Sequence, residues 1–317
     1  MPIFGVRGLN SGLDDADNLT WKLAAVIEGR AGEALLQSYS QERLLAFEVN
    51  AESARRSTEF MSPPSRGYDL LREAALSLAE AERGIAELVN PRQTAAITYG
   101  GSALCQPDAP GEVWHGGPTP GEVLREVPVG GPCGHVSEVA GPGFVLLHFG
   151  APQPFAWPDG LSLVPVLTHA DPRWPQALID PLGRLAQAYD APIGSAYLVR
   201  PDGHVAARWK ACAGTDVAAA LQRALGHGAD CSARLPIPAS SSARDRQYSR
   251  LAEAITAAGP SREPLFLARL VILLLERLGD ESAASAAIDT ALQELPQPSL
   301  SARPGSQSTP QPPETNP

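Results

Sequence analysis

The chain contains no G-x-G-x-x-G turn and no C-x-x-C pair, and each absence closes off a class of function. Without the first, the usual seat for a dinucleotide pyrophosphate at a strand-to-helix junction is missing. Without the second, a thioredoxin-type dithiol is excluded. The four cysteines, Cys105, Cys133, Cys212 and Cys231, also lie away from histidines at zinc-ligand spacing, so no metal site is expected and they read as free thiols in a reducing compartment. Basic residues are in deficit: 25 Lys and Arg against 35 Asp and Glu leave a net charge of −10, which disfavours a nucleic-acid partner or an anionic membrane surface. Long apolar runs are missing too. The longest, residues 265–275, is interrupted by Arg269 and falls short of the about 20 residues a membrane span needs. Met1 leads straight into a glycine-punctuated motif instead of a secretory leader, so a cytoplasmic protein is expected.

Glycine and proline, in contrast, are abundant, at 29 and 31 of 317 residues, and they punctuate the chain. The opening run Pro2-Ile3-Phe4-Gly5-Val6-Arg7-Gly8-Leu9-Asn10-Ser11-Gly12 reads as a loop entering a helix, with Asn10 or Ser11 as its cap and Asp14, Asp15 and Asp17 complementing the dipole of its first turn. Backbone N–H groups at such a junction lack intrahelical partners and suit a partly negative ligand group. Residues 14–60 read as helix, broken at 29–32. The second segment has an apolar face of Leu35, Leu36, Tyr39, Arg43, Leu44 and Phe47, with Glu42, Glu48 and Glu52 in water. Pro63-Pro64 stops it, and a third helix is expected over 70–89. Residues 100–121 read as an ordered linker.

The texture then changes. Residues 144–149 and 161–167 suit buried strands, and 182–189 a short helix. Residues 196–199 and 204–209 form two strands joined by the Arg200-Pro201-Asp202-Gly203 turn, and 216–225 a closing helix. That order fits a thioredoxin-like sheet. A flexible linker over 232–247, a helical hairpin over 248–295 turning at Gly279-Asp280, and a disordered tail over 296–317 complete the expected organisation.

The motif Pro2, Gly5, Gly8, Asn10-Ser11-Gly12, Asp15-Ala16, Asn18-Leu19, Trp21-Lys22-Leu23 resembles a late segment of the flavin-dependent aromatic hydroxylases, the single-component FAD monooxygenases related to phenol and hydroxyphenylpropionate hydroxylases. The resemblance continues through Ala34-Leu35-Leu36-Gln37-Ser38-Tyr39, Glu42-Arg43, Phe60-Met61-Ser62-Pro63 and Val89-Asn90-Pro91-Arg92-Gln93. It implies that Gly8, Leu9 and Asn10 contact the flavin, and that Arg43 is an ion-pair anchor holding its helix against the rest of the FAD domain. The family's G-x-G-x-x-G and Gly-Asp motifs are not found, so Met1 reads as an internal start, and the chain alone is expected not to hold FAD tightly. Gly116-Gly117-Pro118-Thr119-Pro120-Gly121 and Tyr197-Leu198-Val199-Arg200-Pro201-Asp202-Gly203 resemble the family's C-terminal domain, thioredoxin-like without a dithiol and often a dimer element. Residues 268–274 resemble a small helical protein encoded beside flavin oxidoreductases, which implies a fusion of neighbouring genes.

The resulting expectation is an α/β chain in three parts. Residues 1–99 are the helical remnant of an FAD-binding domain, 122–228 a thioredoxin-like domain, and 248–295 a helical hairpin. In function the resemblance implies a fragment of an aromatic-ring hydroxylase, with FAD, NAD(P)H, O2 and a small aromatic substrate in the intact relative. No general base is recognisable. The competing expectation is a non-catalytic module that dimerises or docks, its helices before Gly100 loose and quickly proteolysed. Cys133 with His135 reads as no redox site, and His148 and His169 as core or rim histidines.

Overall fold

The computed structural model describes residues 7–79, 82, 85, 96–152, 157–236 and 243–293. The tail, most of the expected third helix beyond residue 79 and part of the 232–247 segment lie outside them. The architecture is mixed α/β: N-terminal helices, a five-stranded mixed sheet and C-terminal helices. The chain divides into two compact units, residues 6–50 with 96–238, and residues 51–95 with the two termini.

In the first unit, β1 (Phe144–Phe149) lies beside β2 (Leu161–Leu167) in parallel and β4 (Ala196–Val199) antiparallel. A two-residue β3 (Leu178–Ile179) extends β2 in parallel, and β5 (Val205–Trp209) pairs antiparallel with β4, giving the order β3-β2-β1-β4-β5. Every residue of β1, β4 and β5 is buried, because both faces of the sheet are covered and no strand position is left for water. The period-2 alternation sends Phe144, Leu146, Ala196, Leu198, Ala207 and Trp209 to one face. There they meet Trp21 of α1 (Arg7–Ile27), Leu35 of α2 (Ala34–Met61), and Val217 and Leu221 of α5 (Gly214–Ala224). Val145, Leu147, Phe149, Tyr197 and Val199 go to the other face, against Val136 of a short 3-10 turn (Val136–Val139) and Leu185 of the short α4 (Arg184–Ala188), with Tyr189 just beyond it.

Residues 100–121 are a packed strap. Leu104 and Cys105 are buried, Gln106 N donates to Ala206 O and Gly121 N to Val205 O. Gly121 takes φ +94 with the Tyr99 backbone where a Cβ would sit, which only glycine accommodates. Trp114, also in the strap, is flanked by two cations, Arg208 at 4.2 Å and Lys210 at 4.0 Å from its ring centroid.

A buried ion cluster holds α1, α2 and the β4–β5 turn together. Glu42, expected in water, is fully buried. Its Oε1 accepts from Arg200 Nη1 (2.7 Å) and Ser102 Oγ (2.8 Å), and its Oε2 from Lys22 Nζ (2.8 Å), Arg200 Nη2 (2.9 Å) and Asn18 Nδ2 (2.9 Å). Asp202 completes the charge balance: it accepts from Arg200, from Trp21 Nε1 (3.1 Å) and from Asn18 Nδ2 (3.1 Å). The turn Asp202 therefore has a second task that turn chemistry did not reveal. Burial alone pushes the Glu42 carboxyl up, but the Arg200 and Lys22 cations outweigh it and hold it well below the usual range. Asp202 is likewise depressed: burial opposes ionisation, and Arg200 and His204 overcome it. Burial lowers Lys22, only partly offset by Glu42, because Arg200 competes for the same carboxylate and repels the ammonium.

The face of α2 is consequently rotated from expectation. Leu35, Ser38, Glu42, Arg43, Leu45 and Ala46 are buried, while Leu44 and Phe47 are exposed. The expectation that all helices before Gly100 are loose is corrected in the same way, since α1 and the first half of α2 share a core with the sheet.

In the second unit, α3 (Arg66–Leu78) starts four residues before the expected point and packs on α6 (Ala243–Ala258). Gly67 makes the close approach possible, as a Cβ there would lie 1.8 Å from the Ala252 carbonyl oxygen. Arg66 pairs with Glu263, and Arg56 with Asp245. The expected hairpin over 248–295 is a set of three helices: Gly259 (φ +77) and Pro260 separate α6 from α7 (Glu263–Leu278), which Gly279 divides from α8 (Glu281–Leu292). Leu265, Val271, Ile272, Leu273 and Leu274 of α7 are exposed.

Three outcomes are expected. Arg200→Ala leaves the buried carboxylates Glu42 and Asp202 with Lys22 as the one remaining buried cation, and costs about 3–5 kcal/mol in urea unfolding at neutral pH. Wild-type stability of that variant would show that the cluster contributes nothing. Since the folded-state carboxyls are depressed, their contribution is full above the ordinary value of 4.5 and is lost as pH falls below it, so Glu42→Gln flattens the acid limb of the stability profile. Separately, Gly67→Ala overpacks α3 against α6 and costs about 1–3 kcal/mol, measured as a lower unfolding midpoint.

Candidate functional site

The helix α1 begins at Arg7, so Gly8, Leu9 and Asn10 form its first turn and are not a preceding loop. Asn10 and Ser11 are inside the helix and do not cap it. The expectation that Asp14, Asp15 and Asp17 sit in the first turn is also corrected, because that turn contains no acid. The leading turn of a helix has no intrahelical acceptors for its N–H groups, and Gly8, Leu9 and Asn10 are all exposed. Around Gly8 nothing lies within 4 Å of where a Cβ would stand, so a ligand could approach the backbone closely. An exposed first described turn at this end of the helix suits one anionic edge of a planar ring.

What fixes this turn in place comes from α2. Arg43 donates from Nε to Asp15, from Nη2 to the Ser11 carbonyl (3.2 Å) and from Nη1 to the Tyr99 hydroxyl (2.7 Å). Asn50 Nδ2 donates to Ser11 Oγ (3.2 Å). Arg43 is thus an ion-pair anchor, as expected, but its partners belong to this chain: it ties α2 to α1 and to the Tyr99 strap. Tyr99 stacks on His204 with ring centroids 4.5 Å apart, and burial, opposed by Arg43, pushes its hydroxyl up to about 12. The sequence signal that could have found this set was the spacing of Ser38, Glu42, Leu45 and Val49, which continues the buried register of Leu35 and carries a carboxylate inward.

The attached side of α1 is mixed: Trp21 and Ala25 enter the core, and polar residues lie beside them. Ser11, Asp15, Asn18 and Lys22 share the side that meets α2 and the β4–β5 turn, and their partners are polar. Leu9, Leu13, Ala16, Thr20, Leu23 and Ile27, at i, i+4, i+7, i+11, i+14 and i+18, share the opposite side and are exposed.

The other sequence candidates do not assemble into a reactive site. Burial and Glu138 raise the Cys133 thiol, the opposite of nucleophile activation, and His135 lies 3.5 Å from Glu138. Cys105 is buried against the Val205 carbonyl and pushed up to about 12. His148 is buried with Nδ1 3.0 Å from the Gly150 carbonyl, a paired core histidine, and His169 is exposed beside Thr168. Among the described residues no group of three or more His, Cys, Asp or Glu could hold a metal ion, and no helix is long and apolar enough to cross a membrane.

Residues 1–54 match the FAD binding domain family. The 6-methylpretetramide 4-monooxygenase of Streptomyces rimosus is 30% identical over 237 residues, 68% of this chain and 41% of that protein. The 3-(3-hydroxy-phenyl)propionate/3-hydroxycinnamic acid hydroxylase of Klebsiella pneumoniae subsp. pneumoniae is 42% identical over 73 residues, 23% of this chain and 13% of that protein. Among solved structures, the native and K252c-bound RebC-10x superposes with a TM-score of 0.50 at 25% identity, over 72% of this chain and 44% of that one. The chain therefore spans less than half the length of these relatives. Within that span, the flavin-domain match falls on α1 and most of α2, the helices whose polar faces the buried cluster joins to the sheet. The chain belongs to the family of FAD-dependent aromatic hydroxylases, covering part of the length of its members.

Proposed function

We propose that this chain contributes the flavin-facing helix start and the C-terminal portion of an FAD-dependent aromatic monooxygenase. The observation that carries the proposal is the position of the FAD-domain match on a helix whose first described turn, Gly8, Leu9 and Asn10, is exposed. Gly8, Leu9 and Asn10 would hold the anionic pyrimidine edge of the flavin ring, with Gly8 leaving room for the backbone to approach. These residues fit one edge of the group, so the chain alone binds FAD weakly. When bound, the reduced flavin supplies the oxygen-activating chemistry, with NAD(P)H as the reductant and a small aromatic molecule as the substrate.

The chain's own residues contribute orientation and electrostatics. The α1 N-terminus stabilises negative charge on the ring edge, and Arg43 and Asn50 keep that turn from shifting. No side chain is assigned a catalytic role. The sheet unit serves as the thioredoxin-like domain, a reading supported by the strand, strand, helix, hairpin, helix order and by the antiparallel β4–β5 pair beside parallel β1 and β2. Its function is structural, and a homodimer through that unit is part of the proposal.

Flavin titration of the full chain, followed by fluorescence quenching, tests this reading. Asn10→Asp places a carboxylate in the first turn of α1, where it favours the helix by about 0.3–1 kcal/mol but repels an anionic ring edge. The expected result is an unchanged or raised unfolding midpoint together with several-fold weaker flavin binding. A stoichiometric yellow protein after purification, or binding indifferent to Asn10→Asp, would overturn it.

A further inference from the structure

We propose that the outward line of α7 is a self-association surface, on which α7 of a second copy of this chain lies antiparallel. The proposal is independent of the flavin-facing reading of α1. Helix α7 is attached by its first half: Glu263 is buried against Arg66, and Phe266, Leu267 and Leu270 are half-buried on the same side. Every residue from Val271 to Leu278 is exposed. Val271, Ile272, Leu273 and Leu274 are 50%, 61%, 59% and 56% exposed, although a helix that is apolar on every side ordinarily belongs in a core. Opposite the attached side, Leu265, Ala268, Ile272 and Leu275 recur at i, i+3, i+7 and i+10, and all four are exposed. That spacing is the narrow seam of a helix pair.

The charges beside the seam select the occupant. Arg269 and Glu276 are seven residues apart, so they stand on the same flank of the seam, and both are exposed. Neither has an ion-pair partner among the described residues. A two-fold interface repeats each contact in reverse, with i meeting j and j meeting i. An antiparallel pair that sets Ile272 of one copy beside Leu275 of the other brings Arg269 of each copy to Glu276 of the other, so one register makes two ion pairs. A parallel pair would set Arg269 beside Pro264 and Glu276 beside Val271, leaving both charges unanswered. The flank is thus complementary to its own reverse. The chain's net charge of −10 does not oppose the pairing, because Arg269 and Glu276 cancel locally.

Sedimentation of the full chain over a concentration series tests this. The chain is expected to associate, and Ile272→Glu with Leu275→Glu is expected to halve the sedimenting mass with circular dichroism unchanged, because both side chains are exposed. Arg269→Glu alone, or Glu276→Arg alone, sets like charges across both flanks and is expected to weaken association about tenfold. An equimolar mixture of those two variants is expected to recover it, since each facing pair is then opposite in sign. The charge swap reports on the interface even where the apolar double variant misfolds. Three results would overturn the proposal. The first is a chain that stays monomeric, including one that instead binds phosphatidylcholine vesicles through α7. The second is association indifferent to the apolar double variant, which is the behaviour of a dimer formed through the sheet unit alone. The third is a mixture of the charge variants that associates no more tightly than either by itself.

Discussion

One carboxylate, Glu42, organises the larger unit. It receives hydrogen bonds from α1, from the strap around Ser102 and from Arg200 at the end of β4, so three stretches distant in sequence converge on two oxygen atoms. A carboxylate with no exposure is costly to desolvate, and its neighbours are arranged to offset that cost: two cations, the Ser102 hydroxyl and the Asn18 amide, with Asp202 balancing the second positive charge. Such a cluster gives little net stability compared with a well-packed apolar core, but it is intolerant of partial assembly. Removing any of the four charged members leaves a buried charge without its counterpart, which favours one register of the helices and the turn.

That arrangement also explains the mixed attached side of α1. The helix is held by Asn18, Trp21 and Lys22, and by the Arg43 bonds to Asp15 and Ser11, so polar groups share the attached side with Trp21 and Ala25. Leu9, Leu13, Leu23 and Ile27 are left on the other side. The first turn, where the flavin edge is proposed to lie, thus has a rigid polar support behind it and an apolar flank running away from it.

Much of the sheet was legible in the residues. Phe144 to Phe149 is uniformly apolar because β1 is central and covered on both faces, and Arg200-Pro201-Asp202-Gly203 has the chemistry of a tight turn whatever surrounds it. The three-helix form of the C-terminal segment was less legible, although Gly259-Pro260 marks the break. Glu42 escaped because hydrophobic periodicity treats any carboxylate as wet. Ser38 and Glu42 continue the inward line of Leu35, but only a basic partner, 158 residues away in Arg200, makes that line a buried one.

The sequence by itself determined the family motif, the strands that are apolar on both sides, the turn types and the absence of a dithiol, because these depend on local backbone preference and on residue type alone. Only the tertiary structure decided which side of α1 and α2 faces inward, that residues 100–121 pack as part of the core, and that the family's Glu-Arg pair meets partners within this chain. The physical reason is that the free energy of a buried charge is set by groups brought close through folding, and no window of neighbouring residues contains them.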